Sequence, residues 1–154
     1  MLVTGPEGPH NPANAAYKQK LFHLRDELNL QDTVHFLAEV TSDFMPDSVI
    51  ADFYRLADAL LFPSREEGFG IPIIEAGFSH IPVFCADIPV LQELGGSDVS
   101  YFEPNADPGA VAGQIIRQME GETTSRWARH ARQGYTWAQI YALQIAPLIE
   151  EANQ

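Results

Sequence analysis

The chain has 154 residues, a length that predicts one domain with an apolar core of its own. Hydrophobic residues make up 45% of the chain and charged residues 19%, a composition that excludes a disordered or fibrous protein. The formal net charge of -12 argues against a nucleic-acid-binding surface, because phosphate recognition requires clustered cations.

Five short apolar runs predict β-strands that alternate with helices along the chain. They lie at residues 2–4, 34–37, 59–62, 82–85 and 99–102. Alternation of this kind predicts a parallel sheet with helices on both faces. We therefore expect an α/β fold with a Rossmann-like doubly wound parallel sheet, in which ligands bind at the carboxyl ends of the strands.

Helical periodicity marks the segments between these strands. The first helix is predicted to pack on a sheet through apolar residues that recur at three and four positions, namely Tyr17, Leu21, Leu24 and Leu28. Further helices are predicted before the third strand, at about 72–80, at about 89–95 and after the fifth strand. Two closing helices are expected at about 122–133 and 136–152. The last has an apolar stripe that includes Trp137 and Leu148 and needs a covering surface.

The single cysteine, Cys85, lies in an apolar run and has no partner for an intramolecular disulfide. We expect it to be a small buried hydrophobe. No N-terminal segment has the form of a signal peptide, and no apolar run approaches the ~20 residues of a membrane span. The chain is therefore expected to be cytoplasmic, with any peripheral contact to a membrane left to another part of a longer protein.

Residues 63–76 leave a predicted strand and enter a predicted helix through a glycine loop. Gly68 and Gly70 permit backbone conformations closed to other residues and let a ligand approach the main chain. Pro72 fits the first turn of a helix, where a missing amide hydrogen costs little. A helix start behind such a loop presents unpaired amide hydrogens and the positive end of the helix dipole. The segment therefore predicts a site for an anion such as a diphosphate.

Two glutamates flank this loop. Glu67 precedes the glycines, where it could meet a sugar, and Glu75 follows near the end of the first helical turn. From there its carboxylate could accept hydrogen bonds from a vicinal diol such as that of a ribose. Taken alone, the glycines and acids are equally compatible with a tight turn and a charge at a helix start.

The run Glu-Gly-Phe-Gly-Ile-Pro-Ile-Ile-Glu-Ala at residues 67–76 resembles the two-glutamate motif of retaining glycosyltransferases of family 4, the glycosyl transferases group 1. In that family the motif lies in the C-terminal, donor-binding domain of the GT-B fold. Weaker resemblance extends through nearly the whole chain, at residues 28–37, 57–59, 63–64, 81–83 and 135–137. The resemblance implies the Rossmann-like half of a GT-B architecture.

The resemblance also implies roles for individual residues. Glu67 would be the catalytic contact with the transferred sugar. The implied donor-binding residues are Gly68, Phe69, Gly70 and Ile71 for the sugar hydroxyls and the diphosphate, Glu75 for the ribose, and Glu39 and Val40 for the base. The last two rest on their position after the second predicted strand and not on a motif.

The implied reaction moves a sugar from a nucleoside diphosphate sugar to an acceptor hydroxyl with retained anomeric configuration. Such enzymes generally need no metal or other cofactor, and the chain has no Asp-x-Asp pair. Two alternatives stay open. One is a non-catalytic nucleotide-sugar-binding fragment or remnant, and the other is a GT-B-type nucleotide-sugar epimerase, which would not be expected to have this glutamate spacing.

The N-terminus resembles the second strand of the family's donor domain and not the first. We therefore interpret residues 1–154 as a donor-binding domain that lacks its first strand, the associated Gly-Arg turn and lysine, and the N-terminal acceptor domain. The expected partners are a nucleotide-sugar donor, the missing acceptor domain and no nucleic acid. The isolated chain is expected to be inactive and to self-associate through the truncated sheet or the C-terminal helix.

Overall fold

A computed structural model of the chain describes residues 1–4, 13–41, 43–121 and 140–152. The chain forms two compact units, Met1–Asp47 and Ser48–Gln154. Each unit has its own parallel strands and its own helices.

The first unit contains a short parallel strand pair. Strand β1 (Leu2–Val3) pairs with β2 (His35–Phe36), with Val3 opposite Phe36. Helix α1 (Ala13–Glu27) connects the strands, and a 3₁₀ turn (Leu37–Glu39) follows β2. This is the predicted strand-helix-strand order with shorter strands.

The packing contacts predicted for the apolar face of α1 are wrong. The helix ends at Glu27, before Leu28, and Tyr17, Leu24 and Leu28 are all exposed. The contact with β2 is made instead by the ring of Phe22, whose centroid lies 4.8 Å from that of buried Phe36 in an edge-on arrangement. Because a strand pair two residues long offers little surface for a helix to pack on, one contact between two aromatic rings takes the place of the predicted apolar stripe of α1.

The second unit contains three parallel strands in the order β3-β4-β5. The strands are β3 (Leu60–Phe62), β4 (Val83–Ala86) and β5 (Ser100–Phe102). Helix α2 (Asp47–Leu56) leads into β3, and α3 (Ile71–Phe78) and α4 (Pro89–Gly95) form the crossovers. Helix α5 (Pro108–Gly121) follows β5. The parallel pairing and the α/β class are as predicted, and the strands pair as one group of two and one of three.

The core of the second unit lies around β4, whose four residues are all buried. A continuous apolar run of this kind is typical of a parallel strand covered on both faces. Cys85 packs there with Ile73, Ala76 and Leu91, so the prediction of a small buried hydrophobe is confirmed. Burial raises the pKa of the Cys85 thiol to about 11.

The last described segment is a π-helical turn (Tyr141–Ile145) that runs into helix α6 (Ala146–Ala152). Of the predicted stripe, Tyr141 and Leu148 are exposed in the structure. The predicted helix at about 122–133, and Trp137 with the first part of the closing helix, lie outside the described residues. Throughout the described ranges, every helix is too short or too polar to cross a membrane.

Candidate functional site

The glycine loop lies at the carboxyl end of β3. The strand ends at Phe62, and residues 63–70 lead directly into α3. The Ser64 hydroxyl donates a hydrogen bond of 2.9 Å to the Glu66 carbonyl and so tightens the first part of the loop. The motif therefore lies where parallel α/β sheets bind ligands, as the sequence predicts.

Gly70 has a conformation that other residues avoid. It precedes α3 with φ 86° and ψ 38°, in the left-handed region. A Cβ at this position would lie 2.7 Å from Cδ2 of Leu91, closer than real Cβ contacts allow. Both the backbone conformation and the neighbouring helix α4 therefore require glycine here.

Gly68 does not share the left-handed conformation of Gly70. Its φ is outside the left-handed region, and a Cβ added to it would meet no atom within 4 Å. Of the two glycines, only Gly70 therefore uses a backbone conformation closed to other residues, and the approach of a ligand to the main chain at Gly68 stays a prediction. Its position is exposed, so the missing side chain leaves open space beside the main chain.

The start of α3 presents free backbone donors. Gly70 provides no side-chain cap, Pro72 has no amide hydrogen, and the Ile73 amide donates to the Gly70 carbonyl at 3.1 Å. Among the described residues, the amides of residues 68–71 have no hydrogen-bond acceptor. These donors and the positive end of the helix dipole can hold an anion.

Glu75 accepts a hydrogen bond from outside its own helix. The hydroxyl of Tyr54, on α2, donates a hydrogen bond of 3.0 Å to Oε2 of Glu75 and also lies 3.3 Å from the Pro72 carbonyl. Burial, and then the Glu75 carboxylate, raise the pKa of Tyr54, so its hydroxyl stays protonated. Tyr54 is not predicted from the sequence as a site residue, because no local pattern connects it to a residue 21 positions away.

The rest of the loop is open. Glu67 is half-buried and makes no hydrogen bond or ion pair with the described residues. Phe69 and Ile71 are 59% and 57% exposed, which is high for large apolar side chains. The carboxylate and both apolar side chains are therefore accessible to a ligand at this end of the sheet.

Glu39 and Val40 belong to the first unit. The Glu39 carboxylate accepts two hydrogen bonds from the Arg25 guanidinium, at 2.6 and 2.9 Å, and this pairing lowers the pKa of Glu39. The same guanidinium stacks 5.4 Å from the ring centroids of Phe22 and Phe36. Val40 is 82% exposed. Their assignment to a base site stays a prediction, and Glu39 has a structural partner.

The described residues thus combine backbone donors at a helix start with a fixed carboxylate and an accessible one. Such a set can hold a diphosphate and hydroxyl groups at the same time. No three histidine, cysteine, aspartate or glutamate side chains of the described ranges come together as a metal site.

Sequence similarity defines the family. The profile of the family described as glycosyl transferases group 1 matches residues 2–134, and the chain belongs to this family. The O-antigen chain mannosyltransferase RfbU of Salmonella typhimurium is 39% identical over 89 residues, covering 58% of this chain and 24% of the relative. The D-inositol 3-phosphate glycosyltransferase of Corynebacterium glutamicum is 31% identical over 161 residues, covering 99% of this chain and 35% of the relative.

Solved structures agree on the fold. Sucrose-phosphate synthase from Thermosynechococcus elongatus superposes with a TM-score of 0.63 at 23% identity, covering 98% of this chain and 38% of the other. The C-terminal domain of a glycosyl transferase group 1 protein from Francisella tularensis superposes with a TM-score of 0.60 at 20% identity, covering 76% of this chain and 58% of the other. The predicted family and the fold of a C-terminal GT-B domain are confirmed. The chain spans about a quarter to a third of the length of the two curated relatives named above.

Proposed function

We propose that this chain binds a nucleoside diphosphate sugar and is the donor-binding domain of a retaining glycosyltransferase. The observation that carries the proposal is the start of α3, where free amides at residues 68–71 lie one helical turn before the fixed carboxylate of Glu75. The amides suit a diphosphate, and the carboxylate suits the ribose diol of the same nucleotide.

In this proposal the loop acts on the leaving group. The bond between the anomeric carbon and the diphosphate breaks, and negative charge builds on the departing oxygen. Amides fixed at the end of a helix stabilise that charge without reorganising. The acceptor hydroxyl oxygen then bonds to the anomeric carbon on the same face of the sugar and gives its proton to the departing diphosphate oxygen, so the anomeric configuration is retained. Glu67 is the residue proposed to contact the sugar near the reacting carbon.

The acceptor is proposed to bind to a second domain. Because the chain spans only a quarter to a third of those relatives, we propose that transfer requires an N-terminal acceptor domain and that this chain alone is inactive. Several relatives are named as mannosyltransferases, which makes mannose the first sugar to test. Self-association through the truncated sheet or the C-terminal helix stays a prediction that sedimentation would test.

Calorimetric titration with UDP, GDP and ADP tests the donor site. We expect saturable binding of one nucleotide, weakened about tenfold or more by Glu75→Ala, because a charged acceptor loses its hydrogen bonds. Glu93→Ala, which removes the same charge from an exposed position on α4, is the matched control. Equal affinity in both variants, or no saturable binding at millimolar nucleotide, would contradict the proposal.

Glu67 is tested by comparing a nucleotide with its sugar-bearing form. Since the proposed contact is with the sugar, Glu67→Gln should leave the affinity for the nucleoside diphosphate unchanged and weaken the affinity for the nucleotide sugar. An equal loss for both ligands would place Glu67 at the nucleotide and contradict its assignment to the sugar.

A further inference from the structure

The contact between Tyr54 and Glu75 joins two helices of the second unit. Tyr54 lies near the end of α2, and its ring packs against the buried cluster that includes Ile73 and Ala76 of α3. Its hydroxyl reaches Oε2 of Glu75 at 3.0 Å. The ring is therefore held by core packing, and the hydroxyl has a defined place beside the carboxylate.

The direction of this hydrogen bond follows from the two groups. An ionised carboxylate only accepts hydrogen bonds, and a phenol has one hydrogen to donate. Both the burial of Tyr54 and the negative charge of Glu75 oppose loss of that hydrogen. Tyr54 therefore donates to Oε2, which is charged and nearer than the neutral Pro72 carbonyl at 3.3 Å, and Oε1 receives no hydrogen bond from the described residues.

We propose that Tyr54 is a positioning residue, whose hydroxyl holds Glu75 so that its second carboxylate oxygen is ready to accept hydrogen bonds from the hydroxyl groups of a bound ribose. This inference rests on the function proposed above. A glutamate on a helix surface ordinarily samples several rotamers, and ordering it on binding weakens the affinity. Tyr54 removes that cost before the ligand arrives.

Tyr54→Phe separates this role from packing, because it keeps the ring in the core and removes only the hydroxyl. We expect the dissociation constant of the nucleoside diphosphate to rise about 3- to 10-fold, the range of one hydrogen bond. In a Glu75→Ala background the same substitution should cause no further rise, and a 2′,3′-dideoxy nucleotide should bind wild type and Tyr54→Phe alike.

Tyr101→Phe is the matched control. It also removes a phenol hydroxyl from the second unit, one that donates to the Leu91 carbonyl at 3.1 Å and not to Glu75. Its affinity for the nucleotide should equal that of wild type. A similar loss in both tyrosine variants would show a general effect of core hydroxyls on the domain and would overturn the inference.

The outcomes separate the two proposals. If Glu75→Ala weakens binding and Tyr54→Phe does not, the positioning role is overturned and the ribose site stands. If Tyr54→Phe weakens binding equally with and without Glu75, Tyr54 does not act through that carboxylate. If neither Glu75→Ala nor the dideoxy ligand weakens binding, or no nucleotide binds, the proposed function fails and this inference fails with it.

A ligand-free measurement tests the positioning directly. Side-chain scalar couplings of Glu75, measured by NMR in the unliganded chain, should show one dominant rotamer in wild type and averaging in Tyr54→Phe. Averaging already in wild type would overturn the inference, whatever the binding data show.

Discussion

Gly70 lies so close to Leu91 that a Cβ on the glycine would be 2.7 Å from the Cδ2 atom of the leucine. Leu91 is fully buried in α4, and Gly70 immediately precedes α3. The glycine loop is therefore closed against the core, and its shape depends on a side chain from the next crossover helix.

Gly70→Ala should destabilise the chain. A left-handed backbone costs a non-glycine residue about 1–2 kcal/mol, and overpacking against Leu91 costs about 1–3 kcal/mol. Urea denaturation followed by circular dichroism should show a free energy of unfolding lower by about 2–5 kcal/mol. Gly68→Ala is the control, since its Cβ enters open space at an ordinary φ. An equal loss in both variants would refute the contact.

The contact between Gly70 and Leu91 should also appear as coupling. Leu91→Ala alone should cost about 2–5 kcal/mol, because it empties a buried site. It also removes the Leu91 Cδ2 atom, which lies nearest to an alanine Cβ at position 70. The double variant should therefore be less destabilised than the sum of the single variants, by about 1 kcal/mol. Simple additivity in the same urea experiment would argue against the contact.

The pair of Arg25 and Glu39 should make stability depend on pH. The pKa of Glu39 is lowered from its ordinary 4.5, chiefly by its hydrogen bonds to Arg25. A carboxyl group whose pKa is lower in the folded chain than in the unfolded chain stabilises the fold at pH values above its unfolded-state pKa. This stabilisation is lost as the pH falls through its folded-state pKa. Wild type should therefore be more stable than Glu39→Gln at pH 7, and the difference should shrink below about pH 4.5.

Urea midpoints for both proteins between pH 3 and pH 7 measure this difference. Glu93→Gln controls for the change in net charge, because Glu93 is exposed on α4. A difference between wild type and Glu39→Gln that stays constant over this range would show that ionisation of Glu39 is not linked to folding.

Cys85 should be unreactive in the folded chain. Its side chain is fully buried, and its pKa is raised to about 11. At pH 8 only about one thiol in a thousand would be ionised, even if it were accessible. Ellman's reagent should therefore label the native chain about a hundredfold or more slowly than the chain in denaturing urea. Comparable rates would mean that β4 opens readily.

The sequence by itself determined the features that local patterns encode. Strand-helix alternation indicated the α/β class, and the apolar run around Cys85 indicated that this cysteine is a small buried hydrophobe. The spacing of Glu67 and Glu75 and the place of Pro72 located the candidate site, because a turn and a helix start are specified by adjacent residues.

Only the tertiary structure decided what depends on distant residues. Gly70 and Gly68 look alike in the sequence, but only Gly70 has a left-handed backbone and lies against Leu91. The face of α1 that packs was set by Phe36 and not by periodicity. Tyr54 gained its place beside Glu75 from the packing of α2 against the core. Contacts of this kind arise between elements far apart in the chain, where hydrophobic periodicity carries no information about which side chains meet.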